Sequence, residues 1–141
     1  MEITYSSLQT VAPQGNVIFD NTVIKGSGCI SHREGSGLIK VKGVTCGGNC
    51  RARFKASFGG NIAVPTGQTA GAISVALTLD GEAIAETVMT VTPAAVAEFF
   101  NVGSEIYIDV PSGTSDTIGV TNISTIPIEV TAANLIVERV A

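Results

Sequence analysis

The sequence has few of the side chains from which active sites are usually built. It contains one histidine, His32, and no tryptophan, and aromatic residues make up only 5% of its 141 positions. A Ser–His–Asp triad would have to use His32, with Ser31, Ser36 and Asp20 close by in sequence. No Gly-x-Ser-x-Gly motif marks a nucleophile, and a single strand histidine is usually structural. We therefore expect no catalysis and no cofactor.

Charge is also scarce. Charged residues make up 14% of the chain, and the net charge is −4, which argues against a dedicated nucleic-acid binder. No apolar run approaches the roughly 20 residues that a transmembrane helix needs. Residues 1–5 have neither the basic nor the apolar segment of a secretory signal. The sequence thus predicts no nucleic-acid partner, no membrane partner and synthesis in a cytosol.

The basic residues are concentrated in one part of the chain. Seven of the eight lie between positions 25 and 55, where Glu34 is the only acid. Five of them alternate with apolar or small residues: Lys40, Lys42, Arg51, Arg53 and Lys55. One interpretation is a basic docking face for an acidic partner. The other is the solvent-facing sides of two strands, because charges at a period of two suit a half-exposed strand.

Cys46 and Cys50 flank a Gly-Gly-Asn turn. With only Cys29 and one distant histidine besides them, they do not have the spacing of a metal site. They also lack the two-residue spacing of a redox pair. They could form a disulfide if their Cα atoms come within about 7 Å. Two reduced thiols are the other interpretation and the default for a protein made in a cytosol.

The residues that are abundant favour β-structure. Val, Ile and Thr suit pleated surfaces, and the 16 glycines supply turns. We predict one domain over residues 1–141, with residues 1–15 as an N-terminal strand or arm. About ten strands are predicted, at residues 3–11, 16–24, 29–32, 38–42, 50–64, 72–79, 84–91, 105–110, 117–123 and 127–140. Asp80-Gly81 is the clearest hairpin signal.

The apolar phase of each predicted strand supplies the expected core. The core residues are predicted to be Phe19, Ile39, Val41, Phe54, Phe58, Val75, Leu77, Leu79, Ile106, Ile108, Val120, Leu135 and Val137.

Several short segments, taken in order, resemble the tumour-necrosis-factor-like family, in the branch that includes the complement globular heads. The segments are Phe19-Asp20, Ile30-Ser31-His32, Gly35-Ser36-Gly37, Gly43, Arg51–Phe54, Val75-Ala76-Leu77, Asp80-Gly81, Val120-Thr121-Asn122 and Ala133–Val137. The Ile-Ser-His to Gly-Ser-Gly stretch is most similar to bacterial and bacteriophage members. Cys50 and Ala52 stand where the family has bulky aromatics, which argues against the vertebrate cytokine branch.

The resemblance implies an all-β, antiparallel two-sheet jelly-roll sandwich that assembles as a homotrimer. Low charge and high aliphatic content favour the same assembly, because interfaces between identical subunits cover apolar surface.

The function that follows is that of a non-enzymatic structural or display protein of a bacteriophage virion, made in the host cytoplasm. It would be a capsid decoration, a head fibre or a tail-fibre head. Its partners would be other virion proteins or a fibre stalk, and its loops could contact cell-surface glycans. The alternative is a bacterial spore-surface or secreted adhesive module of the same fold, and a third is a designed trimer. A carbohydrate hydrolase would need two carboxylates about 5–10 Å apart in a cleft.

Overall fold

The computed structural model describes residues 1–45 and 50–141, and these form two antiparallel β-sheets packed face to face. The described residues contain twelve strands and one 3₁₀ helix, Ala85–Thr87, and no helix among them could span a bilayer. The strands are β1 Glu2–Tyr5, β2 Gln9–Val11, β3 Asn21–Ile24, β4 Ile30–His32, β5 Ile39–Lys42, β6 Arg51–Ala63, β7 Ile73–Leu79, β8 Glu82–Ala83, β9 Met89–Val91, β10 Phe100–Pro111, β11 Ser115–Asn122 and β12 Ile128–Arg139. The predicted all-β jelly roll is confirmed, with twelve strands in place of about ten.

The two sheets divide the chain between them. Sheet A has the order β10-β6-β12-β1-β3, with β2 also pairing with β12. Sheet B has the order β4-β5-β11-β7-β8, with β9 also pairing with β7. Strands that are neighbours in sequence therefore often lie in different sheets, as in the double-sheet jelly rolls.

Strand β6 shows how the sequence determines the two faces of a sheet. Ala52, Phe54, Ala56 and Phe58 are buried between the sheets, and the residues that alternate with them point outward. Successive strand residues face opposite ways, so this period of two puts one side in the core and the other in solvent. Small and large side chains alternate along the buried side, which lets the facing sheet interdigitate with it.

Most of the predicted core residues are buried. Leu79 and Ile106 are the exceptions, being half-buried and packed against the edge of the core. The fully buried side chains include several that the prediction left out, among them Ile3, Ile62, Ile73 and Ile128.

The strand predicted over residues 16–24 is only half formed. Val17 and Phe19 are buried as expected, but they lie in an irregular segment, and β3 begins at Asn21. The main chain there bonds to several different partners: Val17 N–H donates to Val120 O at 2.8 Å and Phe19 N–H to Ser36 O at 3.2 Å. The Gln9 side chain bonds both the N–H and the carbonyl oxygen of Ile18, each at 3.0 Å.

The hairpin at Asp80-Gly81 forms as a two-residue turn. Both residues have positive φ, 51° and 85°, as a type I′ turn requires. Of the strand predicted over residues 84–91, only Met89–Val91 forms, as β9; β8 ends at Ala83, and the 3₁₀ helix separates the two strands. The Leu77 N–H of β7 therefore has no main-chain carbonyl of a neighbouring strand to bond to. It donates instead to the Thr87 hydroxyl oxygen, at 3.0 Å.

Two other boundaries differ from the prediction. Strand β10 begins at Phe100, five residues before the predicted start, and pairs with β6 along its whole length. Residues 3–11 form two short strands, β1 and β2, which both pair with β12.

Candidate interaction surfaces

The outer face of sheet A carries a row of ion pairs between β6 and β10. Arg53 binds both carboxylate oxygens of Asp109, at 2.7 and 3.0 Å, and Arg51 Nε lies 2.9 Å from the same carboxylate. Lys55 Nζ lies 3.1 Å from Glu105. These three cations are the basic residues predicted on β6, and all three are matched by acids of the neighbouring strand.

These contacts change the proton affinity of the groups involved. The bidentate Arg53 guanidinium lowers the pKa of Asp109, and the charge of Arg51 acts in the same direction. The hydrogen bond and charge of Glu105 raise the pKa of Lys55. The pairs are exposed to solvent, where ion pairs contribute little to stability. Their main consequence is that each of the three β6 cations lies beside one of two acids, Asp109 and Glu105.

Lys40 and Lys42 lie elsewhere, on the outer face of sheet B. Both are exposed on β5, where they alternate with the buried Ile39 and Val41. The outer faces of the two sheets point away from each other, so the structure does not bring the five predicted basic residues onto one surface. It divides them into a row paired with acids, Arg51, Arg53 and Lys55, and a separate pair on β5. Docking through either set stays a prediction.

Sheet A also exposes large apolar side chains that were not among the predicted site residues. Tyr107 is 61% exposed and Ile24 58% exposed, and Ile136 is 36% exposed. Ile136 and Ile24 both pair in register with Glu2, so they flank one position of the sheet. The sequence pattern could have identified Tyr107. It alternates in phase with Glu105 and Asp109, so it must lie on the same solvent-exposed face of the strand as these two acids.

Two glycines lie on the same face of the sheet. Gly59 of β6 and Gly103 of β10 are directly opposite in register, and the Asn134 side chain of β12 lies against Gly59, with its Oδ1 2.9 Å from where a Cβ would stand. Together with Ile24, Tyr107 and Ile136, these glycines make up what we call the sheet A face.

His32 connects the edges of the two sheets. Its Nε2 is 2.9 Å from Ser36 O and its Nδ1 is 3.3 Å from Thr22 Oγ1. Because a carbonyl oxygen can only accept, Nε2 carries a proton. Both ring nitrogens therefore have hydrogen-bond partners within the fold. Among residues 1–45 and 50–141, no three His, Cys, Asp or Glu side chains come together in a metal-binding group.

Asp80 and Asp116 form a carboxyl pair at the end of sheet B. Asp80 Oδ1 accepts a hydrogen bond from Thr117 N–H at 2.8 Å. That bond, followed by one with Asp116, lowers the pKa of Asp80. Burial raises the pKa of Asp116, and the hydrogen bond and charge of Asp80 raise it further. Of the two carboxyl groups, Asp116 is therefore the one that is protonated first as the pH falls.

The predicted Cys46–Cys50 pair cannot be assessed from the fold. Cys50 is exposed just before β6, and Cys46 lies outside the described residues. The disulfide and the pair of thiols both stay open.

No protein-family model and no curated protein matches the sequence. Among solved structures, the fold is similar to the globular domain of a zebrafish complement 1qA protein. The TM-score is 0.62 at 8% identity, covering 96% of this chain and 93% of that one. At this identity the similarity shows the fold alone, which is the jelly roll of the complement globular domain.

Weaker matches include the sugar-binding EclA C-terminal domain, with a TM-score of 0.42 at 12% identity over 95% of this chain and 79% of that one. Rabbit GITRL matches with a TM-score of 0.38 at 16% identity, over 77% of this chain and 75% of that one. Neither of these two carries a functional argument.

Proposed function

We propose that the protein is a non-enzymatic, homotrimeric structural or display protein of a bacteriophage virion. In the virion it decorates the capsid, forms a head fibre or caps a tail fibre, and it contacts other virion proteins or a fibre stalk. Its exposed loops and the outer face of one of its sheets contact glycans of the host surface.

The observation that carries the assembly part of the proposal is the sheet A face. Three large apolar side chains, Ile24, Tyr107 and Ile136, are exposed there, on the same face as Gly59 and Gly103. Exposed apolar surface on a regular sheet is typical of protein–protein interfaces. The neighbouring cations of β6 each lie beside an acid, so covering them is less unfavourable than covering isolated charges would be.

The non-enzymatic part is supported by how the potential catalytic groups are used. His32 has both ring nitrogens in hydrogen bonds that join β4 to β3 and to the following loop. Such contacts are those of a structural histidine, and they leave no ring nitrogen to act as a base on a bound substrate.

The bacteriophage assignment rests on the resemblance of the Ile30–His32 and Gly35–Gly37 segments to phage and bacterial members of the family. Immunogold electron microscopy of purified particles, with an antibody against this chain, tests it. We expect label at regular capsid or fibre positions, and none on particles from a strain in which the coding sequence is deleted. Label confined to spore or cell surfaces would contradict the virion assignment and support the adhesive-module alternative.

A further inference from the structure

A shallow groove of about 250 Å³ lies at the end of sheet B, outside the sheet A face. Lys40 and Lys42 of β5 form one side, and Gly113, Thr114 and Ser115 of the β10–β11 turn form the other. Lys42 lies directly opposite Ser115 in register, so the ammonium group and the hydroxyl project from the same face. The two lysines are two residues apart, which separates their Cα atoms by roughly 6.6 Å along the strand.

The floor of this groove is rigid main chain. Gly43 N–H donates to Thr114 O at 2.8 Å, and Gly113 N–H donates to Gly43 O at 3.0 Å. Gly43 has no room for a side chain, because an added Cβ would lie 2.1 Å from Pro111 O. The lysines and hydroxyls therefore project from a fixed frame, which limits the entropy lost when a ligand is bound.

The charge of the two lysines is not neutralised within the chain. In the described residues, acids lie within 4.0 Å of Arg51, Arg53 and Lys55, but none lies that close to the ammonium group of Lys40 or Lys42. Residues 46–49, Cys-Gly-Gly-Asn, contain no acid. The acid near Lys40 across the sheet is Asp80, whose carboxylate is engaged by Thr117.

These groups fit an acidic polysaccharide. The two ammonium groups can pair with charged groups along one chain. The Ser115 hydroxyl can hydrogen-bond with sugar hydroxyls, and Thr114 Oγ1, which donates its own proton to Pro111 O at 2.8 Å, can accept from one. Val44, 57% exposed at the groove, offers an apolar contact for the C–H face of a sugar ring. A nucleic acid fits less well, because it calls for a broad basic surface and this chain carries a net charge of −4.

We propose that the Lys40–Lys42 groove binds the carboxylate or sulfate groups of an acidic polysaccharide. This inference rests on the glycan contact in the proposed function, and not on the trimer or on the position of the protein in a virion. It assigns the ligand to sheet B, on the opposite side of the sandwich from the sheet A face.

Biolayer interferometry with the full chain tests the proposal, using immobilised polygalacturonate, dextran sulfate and neutral dextran. We expect binding to one or both anionic polymers, with loss at high salt, and no binding to dextran. The double variant K40Q/K42Q should bind about tenfold more weakly, since two exposed ion pairs are removed. Binding to polygalacturonate identifies carboxylate as the ligand group, and binding to dextran sulfate identifies sulfate.

The matched control is K25Q/R33Q, which removes the same charge from exposed positions outside the groove. It should bind within about twofold of the wild type, and circular dichroism should show both variants folded. The proposal is overturned if the wild type binds neither anionic polymer, or if both variants lose affinity equally. Duplex DNA binding as tightly as the polysaccharides through the same lysines would also overturn it. None of these outcomes affects the trimer or the virion test.

Discussion

At the scale of single residues, the polar side chains inside the sandwich are held by complete sets of hydrogen bonds. Asn122 is fully buried, and its amide group donates to Val11 O and Ile126 O, both at 3.0 Å. Its carbonyl oxygen accepts from Ser124 N–H at 2.9 Å. One side chain thus ties β2 to the turn between β11 and β12. Among the described residues, no buried side-chain nitrogen or oxygen is left without a partner.

Replacing Asn122 with Ala should therefore be costly. Two carbonyl groups and one N–H lose their partner, and an unpaired buried polar group costs about 1–3 kcal/mol. We expect Asn122→Ala to lower the free energy of unfolding by roughly 3 kcal/mol, measured by urea denaturation. Asn21→Ala, at an exposed position of β3, serves as the control and should change it by less than about 0.5 kcal/mol. Equal effects of the two changes would contradict the assigned role.

The Asp80–Asp116 pair should make the stability of the fold depend on pH. The pKa of Asp116 is raised in the folded protein, so the folded protein binds a proton on Asp116 more tightly than the unfolded chain does. The resulting stability is present below the unfolded pKa and is lost as the pH rises through the folded pKa. Above the folded pKa, Asp116 is a charged group next to a second carboxylate. Asp116→Asn removes that charge and should raise the melting temperature at pH 7 by about 2 °C.

The gain should shrink as the pH falls towards 4, because the wild-type carboxyl then becomes protonated and neutral as well. Thermal melts across pH 3–8 measure this, with Asp20→Asn, at an exposed position, as the control. A gain that is the same at every pH would show that the carboxyl pair is not its cause.

At the scale of elements, the break between β8 and β9 depends on a single hydroxyl. Thr87 is buried, and its Oγ1 accepts from Leu77 N–H at 3.0 Å and donates to Ile84 O at 2.7 Å. These bonds occupy main-chain groups of β7 and the 3₁₀ helix that a continuous neighbouring strand would otherwise pair. The side chain therefore stabilises the interruption of the strand.

Thr87→Val keeps the shape of the side chain and removes both bonds. The buried N–H of Leu77 then has no partner, so we expect the free energy of unfolding to fall by about 1–3 kcal/mol. Thr90→Val, in the exposed position of β9, removes a solvent-accessible hydroxyl and should cost less than about 0.5 kcal/mol. Chemical denaturation of the two variants compares them directly, and a neutral Thr87→Val would contradict this account of the interruption.

The elements differ in how far the sequence predicts them. The region of β6 was predicted well because eight residues, Arg51–Phe58, alternate without a break. Asp80-Gly81 was predicted because few turn types accept that dipeptide. The interruption after Ala83 was missed, since it depends on a hydrogen bond between Thr87 and a residue ten positions away. The division of the basic residues was missed for a similar reason: strand order decides that β5 and β6 lie in different sheets.

At the scale of the whole molecule, the two outer faces of the sandwich differ in character. Sheet A exposes apolar side chains and cations that lie beside acids, whereas sheet B exposes Lys40 and Lys42 beside hydroxyl groups. We assign self-association to the outer face of sheet A and ligand binding to the outer face of sheet B. Trimer formation through sheet A would leave the groove of sheet B accessible to a glycan.

This division predicts different effects of charge on the two faces. Ile136→Glu places a second carboxylate beside Glu2, which lies opposite it in register. It should dissociate the trimer, because burying an unpaired charge is unfavourable. Leu38→Glu is the matched control, since Leu38 is 37% exposed, compared with 36% for Ile136, and its side chain lies over Gly119 of sheet B. Size-exclusion chromatography with light scattering should show a monomer for the first variant and a trimer for the second. The opposite result would assign the subunit interface to sheet B.

Our central claim is that this jelly roll assembles as a trimer. Sedimentation equilibrium of the purified chain at micromolar concentration tests it most directly. We expect a single species with three times the 14.4 kDa mass of one chain. A single species at the mass of one chain would contradict the claim.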